Sequence, residues 1–299
     1  MFDGFIEETK KGAGADIFLR RAGPAGAPAL LMLHGNPQTS AMWHKVAPVL
    51  AKNYQVVCPD LRGYGRSGKP PSSPDHKPYS KRVMAADMVS VMKSLGHDRF
   101  YVAAHDRGAR LAHRLALDSS KSVIAMTLLD IAPTREMYAN TTAEFAQAYW
   151  HWFLQTQNAP IPENIIGADP EGFWKLKCFN QAGTNSLFHP ETLNEYLEAF
   201  RDPSMIHASC EDYRAARTID IDHDNADGDR RLETPLQVLW AKRGAIEKCF
   251  EPMKLWQSRA SNVTGGAMDC GHYMAEEIPD AIIEKLTTFF GAHAQETPL

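Results

Sequence analysis

Short apolar runs that end in loop residues recur along the first half of the chain: ALLMLH at 29–34, YQVVCPD at 54–60, RFYVAAHD at 99–106 and SVIAMTLLD at 122–130. A fifth, LQVLWAK, lies at 236–242. Between them, VMAADMVSVMKSLG at 83–96 and RGARLAHRLALD at 107–118 carry helical spacing. This alternation predicts an α/β fold with a mostly parallel sheet flanked by helices. Ligands of such sheets sit beyond the carboxyl ends of strands. The runs place His34, Asp106 and Asp130 there.

From about residue 134 to 230 the texture changes. EFAQAYWHWFLQTQ, HPETLNEYLEAFR and SMIHASCEDYRAARTID are aromatic and helical in pattern, with proline breaks at 159–162, 170, 190 and 203. No strand pattern appears. The expected organisation is a core domain of residues 1–133 and 231–299, with a helical cap of residues 134–230 inserted between two strands. The charged segment DIDHDNADGDRR at 220–231 is the expected return linker.

Composition narrows the function classes. A chain of 299 residues with 44% hydrophobic positions can bury one large core. Its net charge of -4 comes from intermixed acids and bases without a long basic run, which argues against a nucleic-acid partner. Cys58, Cys178, Cys210, Cys249 and Cys270 are dispersed, without the close spacing of zinc or redox sites, and read as reduced thiols. The histidines lack ligand spacing with carboxylates or thiolates, so no metal and no cofactor are expected. No stretch approaches ~18 uninterrupted apolar residues and the start has no signal-peptide pattern, so the expectation is a cytoplasmic protein with no membrane partner. The Asn-x-Thr matches at Asn140 and Asn262 are then chance occurrences.

The chemistry concentrates in Phe100-Tyr-Val-Ala-Ala-His-Asp106-Arg-Gly-Ala-Arg-Leu. A strand runs into Ala104-His105-Asp106-Arg107-Gly108 and then directly into a helix, the sequence form of a nucleophile elbow, with aspartate at its tip. Such an aspartate could simply cap the helix. As a nucleophile, its carboxylate would displace a leaving group from saturated carbon, and water would then hydrolyse the resulting ester. The hydrolytic half needs a base. His272, in the late turn Cys270-Gly-His-Tyr-Met274, stands where the nucleophile, acid, histidine order of this elbow chemistry requires one. The acid is less obvious, because Trp240-Ala-Lys-Arg-Gly244 offers no aspartate after LQVLW. Asp130, at the end of the preceding strand, is the expected partner of His272, with Glu247 in reserve. Arg107 and Arg110, three apart on the elbow helix, emerge near one face beside Asp106 and suit a small carboxylate.

His34-Gly35-Asn36-Pro37, Asp60-Leu-Arg-Gly-Tyr-Gly-Arg-Ser-Gly-Lys-Pro70, the aspartate elbow and GHYMAEEIP together resemble the α/β-hydrolase superfamily, in the branch of haloalkane dehalogenases and epoxide hydrolases. The resemblance covers essentially the whole chain. Within the branch, His105 to Arg110, His151-Trp152 and Cys210-Glu-Asp-Tyr213-Arg look like the fluoroacetate dehalogenases. That implies His151, Trp152 and Tyr213 as a halide pocket, an anionic haloacetate as the substrate, and a homodimer. By pattern alone, AYWHW reads as cap core. The elbow fold also implies oxyanion donors from the Arg107 N–H and from the loop after His34 and Gly35, with Trp43 and Tyr138 able to wall the pocket.

Two rivals share the sequence features. An epoxide hydrolase would use two cap tyrosines, for which Tyr138, Tyr149, Tyr196 and Tyr213 are available. A non-catalytic small-molecule receptor could keep the pocket without turnover. The paired arginines and His151-Trp152 favour dehalogenation over the first, and the full Asp106, His272 and Asp130 set weighs against the second.

Overall fold

The computed structural model describes residues 1–184 and 186–294. Eight strands form its sheet: β1 (Ile6–Lys11), β2 (Asp16–Ala22), β3 (Ala29–Leu33), β4 (Gln55–Pro59), β5 (Phe100–His105), β6 (Val123–Leu129), β7 (Leu236–Ala241) and β8 (Val263–Met268). Their spatial order is β1-β2-β4-β3-β5-β6-β7-β8, and every pairing from β4 to β8 is parallel. The five apolar runs are the five central strands, β3 to β7. The antiparallel hairpin of β1 and β2 does not stand out in the sequence, because IEETKK is largely exposed at the sheet edge. VTGGAM of β8 is likewise a partly exposed edge strand, poor in strand-forming residues and held by its pairing to β7.

The core helices are α1 (Ala47–Leu50), α2 (Lys81–Ser94) and α3 (Asp106–Asp118) before β6. Between β6 and β7 come eight helices among the described residues: α4 (Thr134–Ala139), α5 (Ala143–Ala148), α6 (Trp150–Gln155), α7 (Ile161–Ala168), α8 (Pro170–Ala182), α9 (Pro190–Phe200), α10 (Pro203–Arg217) and α11 (Ile219–Ala226). After β7 come α12 (Ala245–Cys249), α13 (Pro252–Gln257), α14 (Met274–Glu277) and α15 (Pro279–Ala292). The prolines read as breaks are helix starts: Pro170, Pro190 and Pro203 open α8, α9 and α10, where a missing N–H costs nothing. EFAQAYWHWFLQTQ is two helices, interrupted at Tyr149. The expected return linker at 220–231 is a correction: α11 takes up most of it. Asp220 and Asp222 lie in the first turn of α11, where negative charge suits the helix dipole, so a run that looks like solvated linker is helical.

Sheet register places the chemistry. His105 of β5 pairs with Leu129 of β6, so the next residues, Asp106 and Asp130, leave neighbouring strands at the same level. Both have left-handed backbones, φ 46° and 53°. Each such non-glycine residue costs roughly 1–3 kcal/mol, which the surrounding structure must offset. Gly35 explains how the elbow is packed: a Cβ there would lie 2.5 Å from the Asp106 Cβ.

Polar clasps hold the cap on the core. Asp212 of α10 is fully buried; it accepts Arg107 Nε at 2.9 Å and Nη2 at 2.7 Å, the Tyr64 hydroxyl at 2.7 Å, and the Lys81 ammonium. Lys177 of α8 donates to both the carbonyl and the side-chain oxygen of Asn36, at 2.9 and 2.8 Å. Arg20 of β2 pairs with Glu195 of α9 through two bonds, at 3.0 and 2.8 Å. Glu276 of α14 takes Gln38 Nε2 at 2.6 Å and the Tyr196 hydroxyl at 3.3 Å. Burial pushes the Glu276 carboxyl up to about 8.

Two outcomes follow from these clasps. Asp212→Asn leaves two buried cations without their counter-charge, and denaturant unfolding should show a loss of ~3–5 kcal/mol, the range for breaking a buried pair. For Glu276, the native carboxyl titrates near 8 and the ordinary one near 4.5, so the folded state keeps the extra proton between those values. Its stabilising contribution is full below the lower value and is lost as pH rises through the upper one. Thermal melts from about pH 5 to about pH 9 should therefore fall more steeply for the wild type than for Glu276→Gln; parallel curves would contradict the assignment.

Candidate active site

Asp106 sits at the tip of the elbow, 4% exposed beneath the cap. Its Oδ1 accepts the Asn36 backbone N–H at 2.8 Å, which leaves Oδ2 as the oxygen without that tether. Burial opposes ionisation of this carboxyl. The neighbouring His272, His105, Lys177 and Arg107 outweigh burial and hold the group well below the usual carboxylate range. A carboxylate ionised at neutral pH results.

His272 Nδ1 lies 2.6 Å from Asp130 Oδ2, and Asp130 Oδ1 accepts the Ala241 N–H at 2.9 Å. The carboxylate is thus aimed by β7 at the imidazole, in a geometry that fixes Nδ1 as the protonated nitrogen and directs Nε2 away from Asp130. The reserve acid Glu247 is elsewhere, hydrogen-bonded to the Trp240 indole. His105, the residue before the nucleophile, donates from Nε2 to the His272 carbonyl at 2.9 Å. Burial pushes its imidazole down to about 4, so it is a neutral brace for the His272 loop.

The two arginines are both buried and differently held. Arg107 is clamped by Asp212 and lies 4.2 Å over the Tyr213 ring, with Nη1 unpartnered among the described residues. Arg110 donates Nη1 to the Ala132 carbonyl at 3.1 Å and to Thr134 Oγ1 at 2.9 Å, stacks 4.5 Å from the Trp152 ring, and has Nε unpartnered. Burial and the charge of Arg107 lower Arg110 to about 10, so it remains a cation at neutral pH.

His151, Trp152 and Tyr213 come together although α6 and α10 are far apart in sequence: the Tyr213 ring is 6.3 Å from that of His151 and 6.1 Å from that of Trp152. Burial drives His151 well below its ordinary value, so it presents a neutral imidazole with one N–H. The Trp152 indole N–H is buried without a partner, as is the Tyr138 hydroxyl, whose ring lies 5.2 Å from Trp152. Tyr196, one of the cap tyrosines open to an epoxide-opening role, is committed to Gln38 and Glu276.

The oxyanion loop differs in detail from expectation. The His34 ring spends Nδ1 on the Gly35 carbonyl and Nε2 on the Leu61 N–H, at 2.9 Å each, so it braces the loop and does not reach into the pocket. Gly35 supplies the close approach, and Asn36 supplies the N–H. Asn36, Lys177, Asp212 and His105 were not singled out in the sequence. His105 and Asp212 lie inside the quoted motifs, so adjacency to Asp106 and Tyr213 was the available signal. Lys177 carries no signal, since its neighbours in space come from another part of the chain.

Comparisons with known proteins place the chain in a family. The profile of the alpha/beta hydrolase fold matches residues 28–246. Fluoroacetate dehalogenase of Burkholderia sp is 42% identical over 290 residues, spanning 97% of this chain and 95% of that one. Soluble epoxide hydrolase of Corynebacterium sp. (strain C12) is 29% identical over 265 residues, 87% of this chain and 89% of that one. Among solved structures, ALR0039 from Nostoc sp PCC 7120 superposes with a TM-score of 0.94 at 48% identity, over 97% of this chain and 99% of that one. With a family profile across most of its length and a close full-length relative, the chain belongs to the alpha/beta hydrolase family.

Proposed function

We propose that the protein is a haloacetate dehalogenase that converts fluoroacetate and water to glycolate and fluoride. The observation that carries this is the set of buried donors left unpartnered around an ionised Asp106: Arg107 Nη1, Arg110 Nε and the Trp152 indole N–H. A buried donor without an acceptor costs ~1–3 kcal/mol. Several in one pocket are best accounted for by an anionic ligand that accepts from them. The similarity to fluoroacetate dehalogenase supports the same substrate class.

In this scheme Arg107 and Arg110 hold the carboxylate of the haloacetate, and Asp106 Oδ2 attacks its α-carbon. The carbon–fluorine bond breaks as the carbon–oxygen bond forms, and fluoride leaves with the electron pair toward His151, Trp152 and Tyr213. Fluoride is a small, strongly hydrated ion, so donors placed where its charge develops lower the barrier most. The ester carbonyl is then Oδ1, already held by the Asn36 N–H, with the Arg107 N–H as the second proposed donor. Water gives a proton to His272 Nε2 and adds to the ester carbon. Collapse expels the glycolate oxygen, which takes the proton back, and Asp106 returns to carboxylate with release of one proton. Asp130 stabilises the transient imidazolium. A homodimer is proposed by the same resemblance; among the described residues no helix is long and apolar enough to cross a membrane.

Epoxide hydrolysis would use the same Asp106, His272 and Asp130, and the 29% relative keeps it as the second candidate. A halide-release panel across fluoro-, chloro- and bromoacetate decides between them: halide with glycolate is expected, whereas ring opening of styrene oxide without halide would replace the proposal. Binding without turnover would mark a receptor. His272→Asn should stop at the ester, and intact mass should rise by one carboxymethyl group on Asp106 after bromoacetate; an unmodified protein would refute the division of roles. Arg110→Gln should weaken haloacetate binding by ~1.5–3 kcal/mol, the range for charged hydrogen bonds, while leaving neutral alkyl halides less affected.

A further inference from the structure

A surface cavity of about 720 Å³ opens on the cap, lined in part by Arg135, Tyr138, Phe153, Gln157 and Arg217. Its walls are the walls of the candidate active site seen from outside. Three helices contribute to both: α4 gives Thr134 to Arg110 and Arg135 to the cavity, α6 gives Trp152 inward and Phe153 outward, and α10 gives Tyr213 inward and Arg217 one turn later outward. Tyr213 and Arg217 are one helical turn apart, so the end of α10 runs from the buried site to the exposed cavity.

Arg217 is exposed, and its one contact among the described residues is its guanidinium carbon 5.8 Å from the Tyr138 ring centroid. Nearby acids are engaged elsewhere through one oxygen or both, with Glu136 Oε2 and Asp220 Oδ2 left unpartnered among the described residues. Glu136 pairs with Arg135 and Arg259, Asp224 with Arg114, and Asp220 accepts the Lys81 N–H. Beyond Tyr138 the series continues inward: its ring is 5.2 Å from that of Trp152, and the Trp152 ring is 4.5 Å from the Arg110 guanidinium. The path therefore reads cation, aromatic, aromatic, cation, with the buried, unpartnered Tyr138 hydroxyl between the two cations. The whole chain carries a net charge of -4, so its overall field does not draw in an anion, and a local cation must do so.

We propose that this cavity is an outer binding site for small carboxylates, where Arg217 captures the haloacetate before it passes Tyr138 to the Asp106 pocket. The identity of the ligand rests on the dehalogenase function proposed above. Occupancy of the outer site needs no chemistry at Asp106, so the two can fail separately.

The test blocks the inner site and asks whether the outer one still binds. His272→Asn is carboxymethylated on Asp106 with bromoacetate, then titrated with fluoroacetate while its ¹⁹F line width is followed. Broadening should persist with the inner site filled, disappear in the Arg217→Gln version, be largely kept in Arg217→Lys, and weaken at high salt, which screens exposed charges. No broadening in the blocked protein, or broadening indifferent to Arg217→Gln, overturns the outer site. Should bromoacetate leave no adduct, the catalytic proposal fails by itself, and the same titration is run on Asp106→Asn. There, a loss of broadening with Arg217→Gln upholds the vestibule, and equal broadening in both refutes it.

Discussion

An ionised carboxylate on a strained, left-handed turn, buried almost completely, is the constraint on which the rest of this protein depends. Water would ordinarily stabilise that charge. Here the Asn36 N–H, His272, Lys177 and Arg107 do so, and they come from four separate stretches of chain, one of them in the cap. Because these groups are held in place by the fold, the charge is kept without a hydration shell.

The same economy explains why the cap is fastened by polar ties. Asp212 takes two cations and a tyrosine hydroxyl, so Arg107 is immobilised through one edge of its guanidinium while Nη1 stays unpartnered. Lys177 reaches from α8 to the very residue whose N–H holds Asp106. Cap seating and the placement of Arg107 and Asn36 are consequently one structural event: moving α10 or α8 away would release Arg107 or disturb Asn36 at the same time. Buried ion pairs of this kind add little net stability compared with apolar packing. Their value here lies in geometry, because they fix which donors remain for a ligand.

Much of the plan is legible in the residues. Five central strands show as apolar runs because they are covered on both faces, and the elbow shows because a nucleophile between small residues at a strand end is a local pattern. Asp130 could be chosen by position, since register puts it level with Asp106 on the adjacent strand. Edge strands β1 and β8 escaped because partial exposure removes the hydrophobic signal, and β2 because DIFLRRA mixes charged with apolar residues. The α11 helix was hidden because acidic residues in a first turn look, in one dimension, like a solvated linker.

By itself the sequence determined what is local or periodic: the alternation of the five central strands with helices, the helical stretch between β6 and β7, the turn at Asp106 and the late histidine. Tertiary structure decided everything that depends on contacts between distant segments. It showed the His34 ring bracing its own loop, brought the Asn36 N–H to Asp106, tied Arg107 to Asp212, and brought Lys177 to bear on Asp106. The physical reason is that hydrogen bonds and charges act over a few ångströms in space. No spacing along the chain records which lysine of a cap helix will end beside a carboxylate some seventy residues earlier.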